Sequence, residues 1–295
     1  MPLFRSLLFA PGNHPRKVEK SLGLDADVVI LDLEDAVAIA EKEATRSVVV
    51  GALANRPHRA RGYVRVNAVD TPYCWGDLQA VVRPGIDGIV LPKLESASDL
   101  RTVDWVVGQL ERERGLEPGG FDIVPIIETG RGVAAIASIC EAGTRVRRLS
   151  FGAGDYTLDM GLRWTDGERE LDQARSAIAL ASRTAGIEPP IDTVFIHIGK
   201  LDSLRRSAEL ARDFGFQGKL CIHPEQVEPV NEAFSPTAEE VAQAHRYLEA
   251  FREAEARGSA SIQVDGYFID YPIVDKAQRV IDLAEAIDRA AGGEA

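Results

Sequence analysis

The segment Ile123-Val-Pro-Ile-Ile-Glu-Thr-Gly130 is a short apolar run that ends in a carboxylate and leads into a helical stretch. Seven other apolar runs are followed by amphipathic stretches in the same way. Predicted strands lie near 5–10, 28–33, 62–67, 88–92, 122–128, 148–152, 190–193 and 218–222, and predicted helices near 15–22, 40–54, 76–82, 96–114, 132–142, 169–185, 200–214 and 224–233. Residues 194–198 could extend or replace the seventh strand. Eight β-then-α units favour a closed parallel TIM (β/α)8 barrel over an open doubly wound sheet.

The organisation changes after residue 234. A Ser-Pro-Thr break at 235–237 precedes a predicted helix at 238–257. An Asp-Gly turn between alternating flanks predicts a hairpin at 262–269, and a final helix is predicted from about 273 to 290. The predicted domains are a barrel over 1–234 and a helical and hairpin extension over 235–295.

The composition is typical of a soluble globular protein, with 45% hydrophobic and 27% charged residues in a chain of 295. A net charge of −12 and the lack of a long basic stripe exclude bulk attraction to nucleic acid. The cysteines, Cys74, Cys140 and Cys221, form no CxxC pair, which favours a reduced, cytoplasmic setting. We expect no membrane association, because no signal-peptide pattern opens the chain and no apolar run reaches the roughly 18 residues that span a bilayer.

Charged and polar side chains concentrate where the predicted strands end, which is the end of a β/α barrel that carries functional groups. They are Glu34, Asp35, Arg65, Asn67, Lys93, Glu128 and Asp155. The alternative interpretation is a ring of ion pairs that closes the barrel mouth. We favour a ligand site, because buried charge without a ligand is costly.

Glu128 and Asp155 are the predicted metal ligands. Two carboxylates without a companion His or Cys favour Mg²⁺, with Mn²⁺ as an alternative, whereas zinc usually takes His or Cys ligands. Glycines flank both acids and would let the backbone, at Gly154 for example, approach a bound substrate closely. The alternative role of these glycines is ordinary loop geometry.

Arg65 is the predicted partner of a substrate carboxylate, since a guanidinium group binds carboxylates in a bidentate manner. Its alternative role is an ion pair with Glu34 or Asp35. We expect Glu34 and Asp35 to orient Arg65 or a metal-bound water molecule.

The first βα loop, Ala10-Pro-Gly-Asn-His-Pro15, suggests an anion site. Asn13 is a candidate helix cap, and Pro15 suits the first helical turn. A helix N-terminus with cations around it suits a phosphate group, although a solvated helix face would explain the same charges. The cations are Arg5, Arg16, Lys17 and Lys20.

Two further segments have structural interpretations. His223 follows the eighth predicted strand, and capping the eighth helix or bonding within the barrel rim is favoured over acid or base catalysis. The segment from Asp155 to Asp159 is interpreted as a loop.

Eight ordered motifs between about residues 4 and 280 resemble the citrate lyase β-subunit-like branch of the HpcH/HpaI aldolase superfamily. They are Arg5-Ser-Leu-Leu-Phe-Ala-Pro-Gly12, Asp32-Leu-Glu-Asp-Ala-Val37, Val64-Arg-Val-Asn67, Leu91-Pro-Lys93, Ile127-Glu-Thr-Gly-Arg-Gly132, Phe151-Gly-Ala-Gly-Asp-Tyr156, Gly218-Lys-Leu-Cys-Ile-His-Pro224 and Ile269-Asp-Tyr-Pro272. Ala10 stands where many relatives carry Val, a mild departure.

The resemblance implies a TIM barrel with Mg²⁺ on Glu128 and Asp155 and with Arg65 on the oxo-acid carboxylate. It also implies that Arg5 and the basic loop after it, including Asn13, Arg16 and Lys17, hold the nucleotide end of coenzyme A. Relatives are homotrimers or hexamers in which a C-terminal lid covers a neighbour's site. Asp270 matches the catalytic aspartate of that lid.

The implied function is a Mg²⁺-dependent lyase that reversibly cleaves a 3-hydroxy-3-carboxyacyl-CoA into acetyl- or propionyl-CoA and a 2-oxo acid. Malyl-, methylmalyl- and citramalyl-CoA are the candidate substrates, and glyoxylate or pyruvate is the acid product. The alternatives are a citryl-lyase β subunit that acts on an acyl carrier protein thioester, a malate synthase-like condensation with hydrolysis, and a non-catalytic ligand-binding barrel.

Overall fold

The computed structural model describes residues 2–56 and 60–292. They form two compact units, one over Phe4–Asn231 and another that joins Pro2 and Leu3 to the segment from Glu232 onward. Among the described residues, no helix is both long and apolar enough to cross a membrane.

The larger unit is a closed barrel of parallel strands in which each strand pairs with the next and β8 pairs with β1. The strands are Ser6–Pro11 (β1), Val28–Asp32 (β2), Arg61–Arg65 (β3), Gly88–Leu91 (β4), Asp122–Ile127 (β5), Ser150–Phe151 (β6), Ile191–Asp192 (β7) and Gly218–Cys221 (β8). The predicted TIM (β/α)8 fold is confirmed.

Helices follow the strands as the alternating pattern predicts. In the larger unit they are Pro15–Leu22 (α1), Lys42–Ala54 (α2), Cys74–Val81 (α3), Ala97–Glu113 (α4), Gly130–Ala134 (α5), Ile136–Cys140 (α6), Ala153–Asp159 (α7), Asp172–Thr184 (α8) and Leu201–Asp213 (α9), and Val227–Ala233 (α10) follows β8. Short 3₁₀ turns cover Ile39–Glu41, Arg169–Leu171 and Pro224–Gln226.

The strands are buried on both faces, as expected where helices surround a parallel barrel. Alternate side chains such as Val28 and Ile30 join one apolar cluster with Tyr63, Val90 and Val124. Ring-shaped layers of this kind fill the interior of a TIM barrel, so the barrel is a packed core and any ligand must bind at its ends.

The amino ends of the strands are closed by a buried ionic cluster. The guanidinium group of Arg148 lies 3.8 Å from the ring centroid of Phe4 and forms an ion pair with Asp122. Asp122 also accepts a hydrogen bond of 2.7 Å from the hydroxyl of Tyr63. Each charge here has a partner of opposite sign, which is what makes its burial tolerable.

Three details of the barrel differ from the sequence-based expectation. The segment 155–159 was predicted as a loop but lies within helix α7, whose first turn is fixed where the hydroxyl of Thr193 accepts from the backbone N–H of Ala153 at 2.8 Å. The predicted helix at 132–142 is two short helices, α5 and α6. Residues 194–198 form no strand, so β7 remains the two-residue strand at 191–192.

The C-terminal unit contains the predicted helices and hairpin. Ala238–Ala256 (α11) begins with a capping box between Thr237 and Glu240, and Ile262–Val264 (β9) pairs antiparallel with Tyr267–Ile269 (β10). The hairpin turn has φ of +50° at Asp265 and +84° at Gly266, as an Asp-Gly turn of this type requires. Tyr271–Ala291 (α12) starts two residues earlier than predicted, because Asp270 caps it.

Gly218 is needed where the barrel closes. A Cβ atom at this position would lie 1.8 Å from the carbonyl oxygen of Phe4 and 2.6 Å from that of Arg5, both of them backbone atoms. The carbonyl of Arg5 accepts a hydrogen bond of 2.8 Å from the N–H of Lys219, so moving it aside would disturb the bond that joins β8 to the start of β1.

We therefore expect Gly218→Ala to lower the free energy of unfolding by about 3 kcal/mol, as overpacking against backbone does. Gly23→Ala is the matched control, because its nearest neighbour would be 3.7 Å away, and it should change stability by no more than about 0.5 kcal/mol. Urea denaturation followed by circular dichroism measures both. Equal stability of the two variants would contradict the proposed role of Gly218 in closure.

Candidate active site

Lys93 connects the charged residues at the carboxyl ends of the strands. Its Nζ atom lies 2.5 Å from Oε1 of Glu34, 3.6 Å from Asp35 and 3.8 Å from Oδ1 of Asp155. Its backbone N–H donates to Oε1 of Glu128 at 2.8 Å. The structure thus brings together at one barrel mouth the acids that the sequence analysis selected from separate strands.

Arg65 is held by an acid that the sequence analysis did not select. Asp32 accepts from Nε and Nη2 of Arg65 at 2.8 and 2.6 Å, and the two residues are direct partners in the β2–β3 register. Burial opposes ionisation of Asp32, but Arg65 outweighs it and holds the pKa of Asp32 below its usual value. Asp32 therefore fixes the orientation of the guanidinium group.

Arg65 also forms the ion pair with Glu34 that was its alternative role, and its guanidinium group can still bind a ligand. Nη1 of Arg65 lies 3.1 Å from Oε2 of Glu34. A guanidinium group has five N–H donors, and the hydrogen bonds to Asp32 use two of them, while Glu34 forms only an ion pair with Nη1. The Arg65 side chain keeps 14% of its surface exposed, so N–H groups remain available at the mouth.

Glu128 is a buried carboxylate with too little positive charge around it. Burial, followed by the charges of Asp155 and Glu34, raises its pKa to about 8. Asp155 sits in the first turn of α7, and its side chain is about one third exposed. A buried acid that repels its neighbours fits a cation site, since a bound cation would favour the ionised form.

The donor set fits Mg²⁺ better than a metal that needs many protein ligands. Among residues 2–56 and 60–292, no group of three or more His, Cys, Asp or Glu side chains is arranged to hold a metal ion. Mg²⁺ is commonly held by one or two carboxylates, with water and substrate oxygens completing its shell. Glu128 and Asp155 match that pattern.

Glycine is required next to Glu128. A Cβ atom on Gly152 would lie 2.4 Å from Oε2 and 2.7 Å from Cβ of Glu128, so a larger residue would displace the carboxylate. Gly154 is different, because its nearest neighbour would be 3.9 Å away. At Gly152 the group that lies close to the backbone is therefore the side chain of Glu128.

Lys42 supports the site from behind and was not found in the sequence analysis. It is buried, and its ammonium group donates to the carbonyls of Leu33 and Glu34 and to Oδ1 of Asn67 at 3.0, 2.7 and 2.6 Å. These bonds fix the turn that carries Glu34. A lysine at the start of a helix usually faces solvent, so no local sequence pattern reveals this role. The role of Asp32 could have been found more easily, because the pairing of β2 with β3 places it opposite Arg65.

Arg5, which was predicted to contact the nucleotide end of coenzyme A, is paired with Asp27 in this structure. Arg5 precedes β1 and bonds Asp27 through its backbone N–H and through Nε and Nη2, at 2.7, 3.0 and 2.8 Å. It therefore lies at the amino ends of the strands, whereas Glu128 and Asp155 lie at the carboxyl ends.

The predicted capping role of Asn13 is wrong. Its side-chain amide donates to Oε2 of Glu41 at 2.6 Å, and His14 occupies the N-cap position of α1 without a side-chain cap bond. Pro15 opens the helix as predicted.

A cavity of about 300 Å³ adjoins the first and eighth strands. Its cationic lining comes from Lys17 and Lys20, and His223 lies beside them. The apolar lining is Leu8, Phe9, Ala10, Pro11, Ile222 and Pro224. Lys17 is thus placed in this cavity, and Arg16 is not among its lining residues. His223 caps the 3₁₀ turn after β8, as the sequence analysis favoured.

The sequence model of one protein family, HpcH/HpaI aldolase/citrate lyase, matches this chain over residues 5–224. The chain belongs to this family. The membership confirms the resemblance seen in the motifs and the prediction of an enzyme of the lyase type.

Relatives of the family align along nearly the whole chain. The citrate lyase subunit beta of Leuconostoc mesenteroides subsp. cremoris is 38% identical over 96% of this chain and 94% of its own length. The L-malyl-CoA/beta-methylmalyl-CoA lyase of Cereibacter sphaeroides is 33% identical over 96% and 95%. The structure of CitE from Mycobacterium tuberculosis in complex with magnesium, acetoacetate and coenzyme A superposes with a TM-score of 0.77 and 31% identity, over 95% of this chain and 97% of that chain.

We expect Asp32→Asn to lower the free energy of unfolding by about 3 kcal/mol, because it leaves a buried guanidinium group without its carboxylate partner. The matched control is Asp35→Asn, the same change on a neighbouring side chain that is 57% exposed. The control should change stability by no more than about 0.5 kcal/mol. Urea denaturation measures both, and an Asp32→Asn protein as stable as the control would show that Asp32 does not hold Arg65.

Proposed function

We propose that this protein is a Mg²⁺-dependent acyl-CoA lyase that reversibly cleaves a 3-hydroxy-3-carboxyacyl-CoA, such as malyl-, methylmalyl- or citramalyl-CoA, into acetyl- or propionyl-CoA and a 2-oxo acid. The observation that carries the proposal is the convergence of Glu128, Asp155 and Arg65 at the barrel mouth. Two hard anionic ligands beside a guanidinium group suit a metal and a small oxo acid together. The lyase relative and the magnesium and coenzyme A complex of CitE support the choice of substrate class.

In this proposal Glu128 and Asp155 hold Mg²⁺ or Mn²⁺. The bound ion would supply positive charge beside the hydroxyl and carboxylate oxygens of the substrate. Arg65, oriented by Asp32, donates its remaining N–H groups to the substrate carboxylate, and Glu34 helps to keep the guanidinium group in place. The backbone at Gly154 has open space beside it for the substrate.

The cavity beside β1 and β8 is the proposed site for coenzyme A. Lys17 and Lys20 would bind phosphate groups, and the apolar lining would pack against the rest of the nucleotide. Asn13 lies on the loop before α1 and Arg16 lies on α1, and both would contribute to the proposed phosphate site. Arg5 does not line this cavity and is paired with Asp27.

Asp270 would move the proton in this reaction. In cleavage it accepts the proton of the 3-hydroxyl group, and the carbon that carries the hydroxyl becomes the carbonyl carbon of the oxo acid. The C2–C3 bond breaks, and its electron pair passes to the thioester as an enolate. Asp270 then returns the proton to C2, which gives the acyl-CoA. One substrate yields two products, and neither water nor a redox partner is consumed.

We further propose that Asp270 acts on the site of another subunit in a homotrimer or hexamer. It lies between the hairpin and α12, among the exposed side chains of Tyr267, Phe268 and Tyr271, which are 65%, 64% and 51% exposed. An exposed aromatic group of this kind favours contact with another protein surface. The C-terminal extension is thereby a lid for a neighbouring copy.

The direct test is a panel of malyl-, methylmalyl- and citramalyl-CoA with Mg²⁺, with products separated by chromatography. We expect acetyl- or propionyl-CoA with glyoxylate or pyruvate, loss of cleavage with EDTA, and loss in Glu128→Gln, which keeps side-chain volume but removes the charge. The absence of carbon–carbon cleavage of every thioester, or cleavage that survives EDTA, would refute the proposal.

The same assay separates the alternatives. Free CoA instead of acyl-CoA would indicate hydrolysis after condensation, as in a malate synthase-like enzyme. Cleavage only of a thioester on an acyl carrier protein, with co-purification of two other subunits, would indicate a citryl-lyase β subunit, the role named for the Leuconostoc relative. A non-catalytic barrel would bind ligand and release no product.

Asp270→Asn should lower turnover at least about 100-fold while Mg²⁺ binding stays unchanged, because general acid–base catalysis commonly contributes that much. The side chain of Asp270 accepts from the N–H of Ile273 at 3.4 Å as the cap of α12. Asn caps helices as well as Asp does, so this substitution removes the charge and keeps the cap. Steady-state kinetics and calorimetry check the outcome, and unchanged turnover would remove Asp270 from the mechanism.

Co-expression of Asp270→Asn with Glu128→Gln tests whether Asp270 serves another subunit. In randomly mixed trimers about a quarter of the sites would combine an intact Glu128 with an intact Asp270 from the neighbour. Activity should therefore return to about a quarter of the wild-type value. Mixed trimers without activity would place Asp270 on the site of its own chain.

A further inference from the structure

Lys93 has an unusual backbone at the centre of the site. Its φ angle is +50°, in the left-handed region that a residue other than glycine or asparagine rarely adopts. Strain of this kind persists where the surrounding structure fixes it, often at functional sites. Here the conformation accompanies the bond from the Lys93 N–H to Oε1 of Glu128.

The ammonium group of Lys93 meets the acids that would surround a metal. It lies 2.5 Å from Glu34, 3.6 Å from Asp35 and 3.8 Å from Asp155. Its side chain is 32% exposed, so the group reaches the open mouth of the barrel as well as the buried acids. One lysine therefore lies close to three carboxylates of the mouth while part of its side chain stays exposed.

We propose that Lys93 sets the balance between cation and anion binding at this site, an inference that rests on the proposed function. Its positive charge weakens the attraction of Asp155 and Glu34 for a divalent cation and strengthens the attraction of the mouth for the anionic oxo acid. Lys93 is a positioning residue for Glu128 through its backbone and an electrostatic residue through its side chain.

The charge count gives the sign of each effect. The carboxylates among the described residues of the mouth are Asp32, Glu34, Asp35, Glu128 and Asp155, and the cations are Arg65 and Lys93. When all five acids are ionised, as a bound cation favours, the loss of Lys93 raises the surplus of negative charge by one. A divalent cation is then attracted more strongly and a carboxylate less strongly. A purely structural role would instead weaken the binding of both ligands.

The experiment measures the binding of Mg²⁺ alone, and then of oxalate at saturating Mg²⁺, by isothermal titration calorimetry. Lys93→Asn is the main variant, because Asn tolerates the left-handed backbone and retains the N–H that bonds Glu128. We expect Mg²⁺ to bind about tenfold more tightly and oxalate about tenfold more weakly than in the wild type. Lys93→Gly, which adopts the same φ without strain, should repeat both shifts.

Two controls separate local charge from other causes. Lys93→Arg keeps the charge and should retain oxalate affinity within about threefold of the wild type. Lys200→Asn removes the same charge from an exposed side chain paired with Asp166, and should leave both affinities unchanged.

The outcomes distinguish this inference from the proposed function. A wild-type protein that binds neither Mg²⁺ nor oxalate with Mg²⁺ would overturn the proposed function and this inference with it. A wild type that binds both, with Lys93 variants that shift both affinities in the same direction or shift neither, would overturn only the role assigned to Lys93.

Discussion

The site depends on one electrostatic constraint: the barrel mouth gathers more negative charge than its cations neutralise. Arg65 is paired with Asp32 and Glu34. Lys93 is paired with Glu34, Asp35 and Asp155. Glu128 is left with a pKa of about 8, because burial and the neighbouring acids oppose its ionisation. A divalent cation would relieve this repulsion, so the same residues that destabilise the mouth prepare it for a metal and an oxo acid.

The opposite end of the barrel shows what charge does when it serves the fold alone. Arg148 pairs with Asp122 and Glu188 and packs on Phe4, and Arg5 pairs with Asp27. Each of these charges has a partner and a defined structural contact. The two ends therefore differ in charge balance, because the carboxyl ends carry more acids than cations, whereas the acids and cations at the amino ends are paired.

The sequence predicted those features that follow from strand and helix periodicity. The convergence of Glu128, Asp155 and Arg65 could be predicted, because the parallel strands bring their carboxyl ends to one end of the barrel. Asp32 and Lys42 were missed because their roles depend on strand register and on a long side chain that turns inward, neither of which local composition reveals. Arg5 stands one residue before β1, so it lies at the opposite end of the barrel from Glu128 and Asp155. Helix α7 was missed because its first N–H is fixed by distant Thr193.

The most direct test of the account is anomalous diffraction from crystals grown with Mn²⁺ and oxalate. The account predicts a single Mn²⁺ peak at the barrel mouth, about 2.1 Å from one carboxylate oxygen each of Glu128 and Asp155, with oxalate completing the shell beside Arg65. A Mn²⁺ peak bound elsewhere, or Glu128 still bonded only by protein groups at full Mn²⁺ saturation, would contradict it.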